Sequence, residues 1–270
     1  MQTSSISNTQ EYWFIFQNDL LLLRKISTEY ELPTHTILSQ LKPHFLRQHH
    51  LGEFNKSNCY CAEIEIGVSL PSEIVPVPLR KAFEILGTDW YVAAAKAFSI
   101  IHWDKNHQYC GRCGNITIHK PGTFERVCDF CKLSLYPRIS PSVIVLIRKD
   151  DNILMSRSPH FPPGAYGLIA GFVEVGESIE EAVFREVKEE VNIEIKNLHY
   201  FGSQSWPFPD SLMIGFTADY ASGEIKIDEK EIEAAGWYRY DNLPGRPSSS
   251  VSIAKKLIDH FVNEQINKKS

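Results

Sequence analysis

The stretch Gly171-FVEVGE-Ser178-IEEAVFREVKEEVN-Ile193 restricts the fold of this chain more than any other. Ser178, with Glu181 three residues later, carries a capping-box signature, so a helix should begin there. Ile179, Val183 and Val187 follow at i, i+4 and i+8 and form one apolar stripe with Ala182. Glu186 and Glu190 are also four apart and share a face, with Glu189 beside them. Like charges at that spacing destabilise an isolated helix by about 0.2–0.5 kcal/mol per pair, and Arg185 and Lys188 offset only part of it. Two readings fit: a face that gathers a hard cation through oxygen ligands, or a solvated acidic surface.

The second constraint is covalent chemistry. Cys110-Gly-Arg-Cys113 and Cys128-Asp-Phe-Cys131 are two C-x-x-C pairs separated by 14 residues. Lys120-Pro121-Gly122 lies between them and marks a hairpin tip. Gly111 and Gly114 suit the tight turns such pairs need. Four thiolates at these intervals suit one structural, tetrahedral Zn²⁺ with no open position for catalysis. A redox site would use a single pair opening a helix, and paired disulfides are the other reading. Cys59 and Cys61 have no partner pair nearby and read as ordinary buried thiols.

At 270 residues the chain is long enough for about two domains. Residues 1–140 carry 14 basic and 13 acidic groups, whereas residues 141–270 carry 14 and 20. The chain as a whole, at a net −5, lacks the basic character of a general nucleic-acid binder. Residues 105–140 differ, with 6 basic against 2 acidic groups, which leaves room for RNA contact. No run approaches the roughly 18–20 apolar residues of a membrane span. The opening MQTSSISNTQ lacks the features of a secretory leader, so a cytosolic protein with reduced cysteines is expected.

Three regions follow: an α+β domain over 1–104, a ribbon over 105–140 and an α/β domain over 141–270. Tyr12-Trp-Phe-Ile-Phe16 and Leu20-Leu-Leu-Leu23 read as strands, and Ala62-Glu-Ile-Glu-Ile66 alternates like one. Pro71, Pro76 and Pro78 mark a loop, and residues 79–103 have helical spacing. Val143-Ile-Val-Leu-Ile147 reads as a strand buried on both faces, followed by a turn at 150–152 and a strand through Ile153 and Met155.

The first segment resembles the Nudix box, G-x5-E-x7-R-E-U-x-E-E-x-G-U with U aliphatic. Gly171, Glu177, Arg185, Glu186, Val187, Glu189, Glu190 and Ile193 match it, and Asn192 replaces the second glycine. That position caps the helix, where Asn can take the left-handed conformation. Ten residues on, Ser203-Gln204-Ser205-Trp206-Pro207-Phe208-Pro209-Asp210-Ser211 is similar to the S-Q-P-W-P-F-P-x-S motif of NADH-hydrolysing members, with Ser205 in place of a proline. Aromatic rings there could stack on a base or simply pack on the core. An N-terminal domain, a ribbon and a Nudix domain in this order resemble the NudC-type NADH pyrophosphatases, specifically over 105–262.

The resemblance implies an α/β/α Nudix sandwich and two or three Mg²⁺ or Mn²⁺ ions. It also implies one zinc per chain, a homodimer, and cleavage of NADH or NAD to nicotinamide mononucleotide and AMP, with NAD-capped RNA as a related substrate. It assigns metal binding to Glu186, Glu190, Glu231 and the Ala170 carbonyl, with Glu190 foremost. Glu189 would act through water or as a helper base, and Arg185 would orient a box glutamate, with Glu177 on the loop side. Substrate contacts would come from Gln204 through Ser211, from Tyr136, from Ala254 within the stretch 252–254, and from Arg80 in the N-terminal domain. Glu229 and Glu233 flank Glu231, and composition cannot choose among them. Other readings are a Nudix enzyme for ADP-ribose or dinucleoside polyphosphates, and a non-catalytic nucleotide- or RNA-binding module.

Overall fold

A computed structural model describes residues 11–245 and 252–268; the opening decapeptide, where no leader was expected, lies outside the described residues. The chain divides into two compact units, Met1–Arg138 and Ile139–Ser270.

The first unit begins with β1 (Glu11–Gln17), β2 (Leu20–Ile26) and β3 (Glu29–Glu31), followed by the short helix α1 (His35–Leu41). Next come β4 (Phe45–Phe54), β5 (Ser57–Ile64), β6 (Ile74–Pro78) and the long helix α2 (Leu79–Asn106). The strands form one sheet in the order β3-β2-β1-β5-β4, with β6 paired to β2. Two expectations change here. Pro76 and Pro78 are not in a loop but in β6, paired with Leu22 and Leu20. Such an edge strand tolerates a residue with no N–H to donate. The helical stretch is interrupted at Gly87, whose φ of 73° only glycine adopts readily. Apolar spacing alone continued straight through it. Cys59 and Cys61 are fully buried, and burial raises both thiols above their ordinary range, as expected of inert core cysteines.

The ribbon belongs to the same unit. Strands β7 (Thr117–His119), β8 (Arg126–Cys128) and β9 (Ser134–Leu135) form a small antiparallel sheet. A buried polar network ties it to the end of α2. Arg126 donates from Nε to Thr117 Oγ1 at 2.8 Å and from Nη2 to the Thr117 carbonyl at 2.6 Å, and Nη1 pairs with Asp104. Asp104 also bonds His49 at 3.0 Å and Gln108 at 3.1 Å. Burial pushes the Asp104 carboxyl up, but the hydrogen bond and charge of His49 and then of Arg126 outweigh it and hold it below its ordinary value.

The second unit contains β10 (Ser140–Lys149), β11 (Asn152–Arg157), β12 (Ile169–Phe172), α3 (Ile179–Val191), β13 (Glu194–Trp206), β14 (Ser211–Ser222), β15 (Ala234–Arg239) and α4 (Ile253–Asn267). The mixed sheet runs β13-β14-β10-β11-β15, with β12 on β10. The continuous apolar run of β10 is explained by its two covered faces. Val143, Val145 and Ile147 pack with Val183 and Val187 of α3. Ile144 and Leu146 pack with Leu257 and Phe261 of α4. The result is an α/β/α sandwich, the architecture expected from the motif. Among the described residues no helix is long and apolar enough to cross a membrane.

Candidate active site and metal centres

The box helix starts and stops as its sequence dictates. Ser178 Oγ accepts from the Glu181 N–H, and the Glu181 carboxylate accepts from the Ser178 N–H at 2.7 Å. Asn192 ends the helix at φ 57° and ψ 28°, the left-handed cap that the glycine of the motif would otherwise supply. Glu186 and Glu190 lie on the inner side of α3, only 8% and 5% exposed. That burial speaks against a solvated acidic surface, which would leave both in water.

Arg185 is the only cation that hydrogen-bonds within the carboxylate group among the described residues. All five of its N–H donors are engaged. Nε and Nη2 grip Glu177 at 3.0 and 2.7 Å; Nη1 reaches Glu186 at 2.9 Å and Glu189 at 3.0 Å; Nη2 also meets the Phe172 carbonyl at 2.8 Å. The planar fork thus ties the loop carboxylate, two helix carboxylates and strand β12 together, a task a lysine could not perform. Among the described residues Glu190 has no such partner. Burial, reinforced by the charges of Glu186, Glu231 and Glu189, pushes its carboxyl up to about 8. Burial raises Glu186 as well, against the opposing pull of Arg185.

Strand β12 explains the box glycine. A Cβ on Gly171 would overlap the Glu186 carboxyl group, so only hydrogen at this position lets the carboxylate lie against the strand. Ala170, one residue earlier, points to the α4 side of the sheet, and Phe172 is a 53% exposed ring on that same alternation. The box pattern leaves position 172 open, so nothing in the motif singled this ring out. The structure also separates the three glutamates after β14. Glu233 is paired with Arg157. Glu231 is the one whose charge acts on Glu186 and Glu190. Its loop is pinned to the box helix by the Asp228 N–H donating to the Glu190 carbonyl at 3.1 Å.

The S-Q motif occupies the β13–β14 hairpin. Gln204 opposes Met213, and Trp206 opposes Ser211. Met213 packs in the α4-side cluster, so Gln204 and Trp206, two apart on one strand, share that face. Trp206 and Phe208 meet edge to face at 5.4 Å. Pro207 is buried while Ser205 and Pro209 are exposed. The Asp210 carbonyl accepts from the Ser140 N–H at 2.9 Å, and Ser211 is buried beneath the turn. Ala254 lies in the first turn of α4, half-buried against the same cluster. Tyr136 and Arg80 lie in the first unit. Tyr136 is exposed, and its hydroxyl donates to Glu125 of the ribbon at 3.2 Å. Arg80 is an exposed residue of the first turn of α2.

The four cysteines converge. Their sulfurs lie within 4.8 Å of one another, with separations of 3.5 Å for Cys110–Cys131, 3.5 Å for Cys113–Cys128 and 3.6 Å for Cys113–Cys131. A tetrahedron with Zn–S near 2.3 Å has edges of about 3.8 Å, whereas a disulfide would close to about 2 Å. The donor set and its spacing fit zinc. Each knuckle closes with a left-handed residue after its second cysteine, Gly114 at φ 74° and Lys132 at φ 59°. Gly111, expected to need glycine geometry, has no such conformation. The Asn115 side-chain amide donates to Cys113 at 3.4 Å and, with the Asn115 backbone N–H, draws that thiol down to about 6. Among the described residues this is the only cluster of three or more such ligand atoms drawn so close; the carboxylates stand further apart.

Comparison with known proteins places this geometry. The NUDIX domain model matches residues 138–261, the NADH pyrophosphatase zinc ribbon model residues 105–136, and the NADH pyrophosphatase-like rudimentary NUDIX model residues 10–103. The chain is 40% identical over 259 residues to the NAD-capped RNA hydrolase NudC of Pseudomonas aeruginosa, covering 95% of this chain and 88% of that protein. It belongs to the NudC-type NADH pyrophosphatases of the Nudix hydrolase superfamily. A NudC of Chromobacterium violaceum is likewise 40% identical over 251 residues, covering 93% of this chain and 91% of its own. A NUDIX hydrolase from Nitrosomonas europaea overlays 58% of this chain and 92% of its own with a TM-score of 0.48 and 17% identity. By its domain matches and its NudC relatives the chain is a hydrolase, and residues 10–103, whose chemistry the sequence did not reveal, match the rudimentary NUDIX domain model.

Proposed function

We propose that this chain hydrolyses the pyrophosphate bond of NADH and NAD to nicotinamide mononucleotide and AMP, and removes NAD caps from RNA 5′ ends. The observation that carries this reading is the buried pair Glu186 and Glu190, with Glu231 acting on both, in a chain similar along almost its whole length to NAD-capped RNA hydrolases. Pyrophosphate cleavage asks a protein mainly to position water and balance charge. An acidic group with a single, fully committed arginine repels an anionic substrate on its own, and the donor set is that of a hard divalent cation. Glu186, Glu190, Glu231 and the Ala170 carbonyl would hold two or three Mg²⁺ or Mn²⁺ ions, which neutralise phosphate oxygens and activate water when bound. Glu189, exposed and held by Arg185, would assist through water. Arg185 itself orients Glu186 rather than meeting the substrate.

The hairpin turn with Trp206 and Phe208 would receive the base, with Ser205 to Ser211 and Ala254 as further contacts. We take the divisions 1–104, 105–140 and 141–270 as the working units of a cytosolic homodimer. Product analysis tests the reading. Purified protein is incubated with NADH, NAD, ADP-ribose and NAD-capped RNA in Mg²⁺ or Mn²⁺, beside a Glu190→Gln control. Mononucleotide and AMP from NADH, absent in the control and in EDTA, are the expected result. Turnover that persists in EDTA would refute the metal assignment, and preferential cleavage of ADP-ribose would move the substrate elsewhere in the superfamily.

A further inference from the structure

We propose that Gln204 is a positioning residue: it acts by clamping the start of α4 to the aromatic hairpin. The first four N–H groups of a helix have no partner inside it. At α4 two of them are answered by side chains. Ser252 Oγ accepts from the Lys255 N–H at 3.3 Å, the ordinary cap. The Ile253 N–H, the first of the helix, donates instead to Gln204 Oε1 at 2.6 Å, 49 residues away in sequence. A short bond from a side-chain carbonyl to a helix N-terminus gains from the helix dipole as well.

The sheet is shaped to admit this contact. A Cβ on Gly215 would stand 2.7 Å from Ile253 Cδ1, so the glycine in β14 is what lets the first residue of α4 sit down on the strand. Gly215 faces Gly202 across the hairpin, two residues before Gln204. Gln204 and Trp206 then share the face that α4 covers. Ser203 and Ser205, on the other face, are exposed. The hairpin turn is thus tethered at two points, to β10 through the Ser140 N–H and to α4 through Gln204. Resting on the reading that this turn receives the base, the clamp sets where Trp206 stands when substrate arrives.

The acceptor oxygen makes the test specific. Gln204→Met keeps the size and removes the acceptor. Gln204→Glu keeps the acceptor and removes the amide donor. Amide hydrogen exchange at Ile253 and the KM and kcat for NADH are measured in each, with Mg²⁺ present. The expected result is at least about tenfold faster exchange at Ile253 in Gln204→Met, with KM raised several-fold and kcat within about twofold. Gln204→Glu restores both. Gly215→Ala, which pushes on the same turn from the sheet, raises KM in the same direction. Unchanged exchange in Gln204→Met overturns the clamp. Restored exchange without restored KM in Gln204→Glu overturns the positioning role in favour of direct contact through the amide. If the wild type fails to cleave NADH, the substrate reading fails by itself, and exchange at Ile253 still decides the clamp.

Discussion

Gly171→Ala isolates the carboxylate geometry from the stability of the fold. The added Cβ overlaps the Glu186 carboxyl group. Ordinary contact between heavy atoms needs about 3.5–4 Å, so the carboxylate must retreat by on the order of 1 Å or more. It is the far end of a flexible side chain, and it can retreat by rotating away from Arg185 Nη1, which now holds it at 2.9 Å. The backbone has no reason to move, because Gly171 pairs with Val143 in an ordinary strand and does not need a left-handed conformation. Alanine in place of glycine at such a site even gains about 0.4–1 kcal/mol through the unfolded chain, against about 1 kcal/mol for a weakened hydrogen bond. Stability should therefore be nearly unchanged. Activity should not be. A displacement of about 1 Å in a positioned group costs on the order of 100-fold, equivalent to about 2.7 kcal/mol of barrier. The assay is kcat for NADH over a Mg²⁺ titration, beside a thermal unfolding curve. Turnover within about threefold of wild type refutes the claim that Gly171 makes room for a working Glu186. A fall in Tm above about 10 °C would show instead that the strand was disturbed.

Other outcomes follow from the same structure. Arg126→Met strips one of two guanidinium partners from buried Asp104 and should cost about 3 kcal/mol, the low end for a broken buried pair because Arg47, His49 and Gln108 remain; thermal unfolding reads it. Asp104 is held below its ordinary value when folded, so its stabilisation is complete above the normal carboxylate range and is lost as pH falls through the depressed value. Asp104→Asn should accordingly flatten the loss of stability in acid, measured by urea unfolding between about pH 2 and 5. Cys128→Ser should abolish a zinc content of one per chain in metal analysis and loosen the neighbouring Arg126 network, seen as faster exchange at the end of α2; full zinc retention would refute the four-cysteine site.

Much of the second unit was legible because its signals are local. A capping box, a left-handed Asn and an apolar stripe each act within a turn or two, and the box helix formed as its residues specify. The four cysteines were equally plain, since two knuckles and a hairpin leave few ways to arrange four sulfurs. Glu231 could not be told from Glu229 or Glu233 by composition. That choice depends on Arg157 taking Glu233 and on a loop pinned to α3, contacts between residues far apart in sequence. Pro76 and Pro78 were misread for a related reason, because a proline's place in a sheet depends on whether its strand lies at the edge.

What the sequence determined alone is the chemistry it can offer: three box carboxylates, an arginine to hold them, four thiols and an aromatic hairpin. Which of these act together was decided by tertiary structure. Burial of Glu190, and of Glu186 against Gly171 of β12, turned an acidic helix face into a candidate cation site, and the place of Glu186 needed a glycine on another element. The bond from Ile253 to Gln204 spans 49 residues and leaves no periodic trace. Periodicity reports only which face of an element is covered. Which partner covers it is fixed by the packing of the whole sheet.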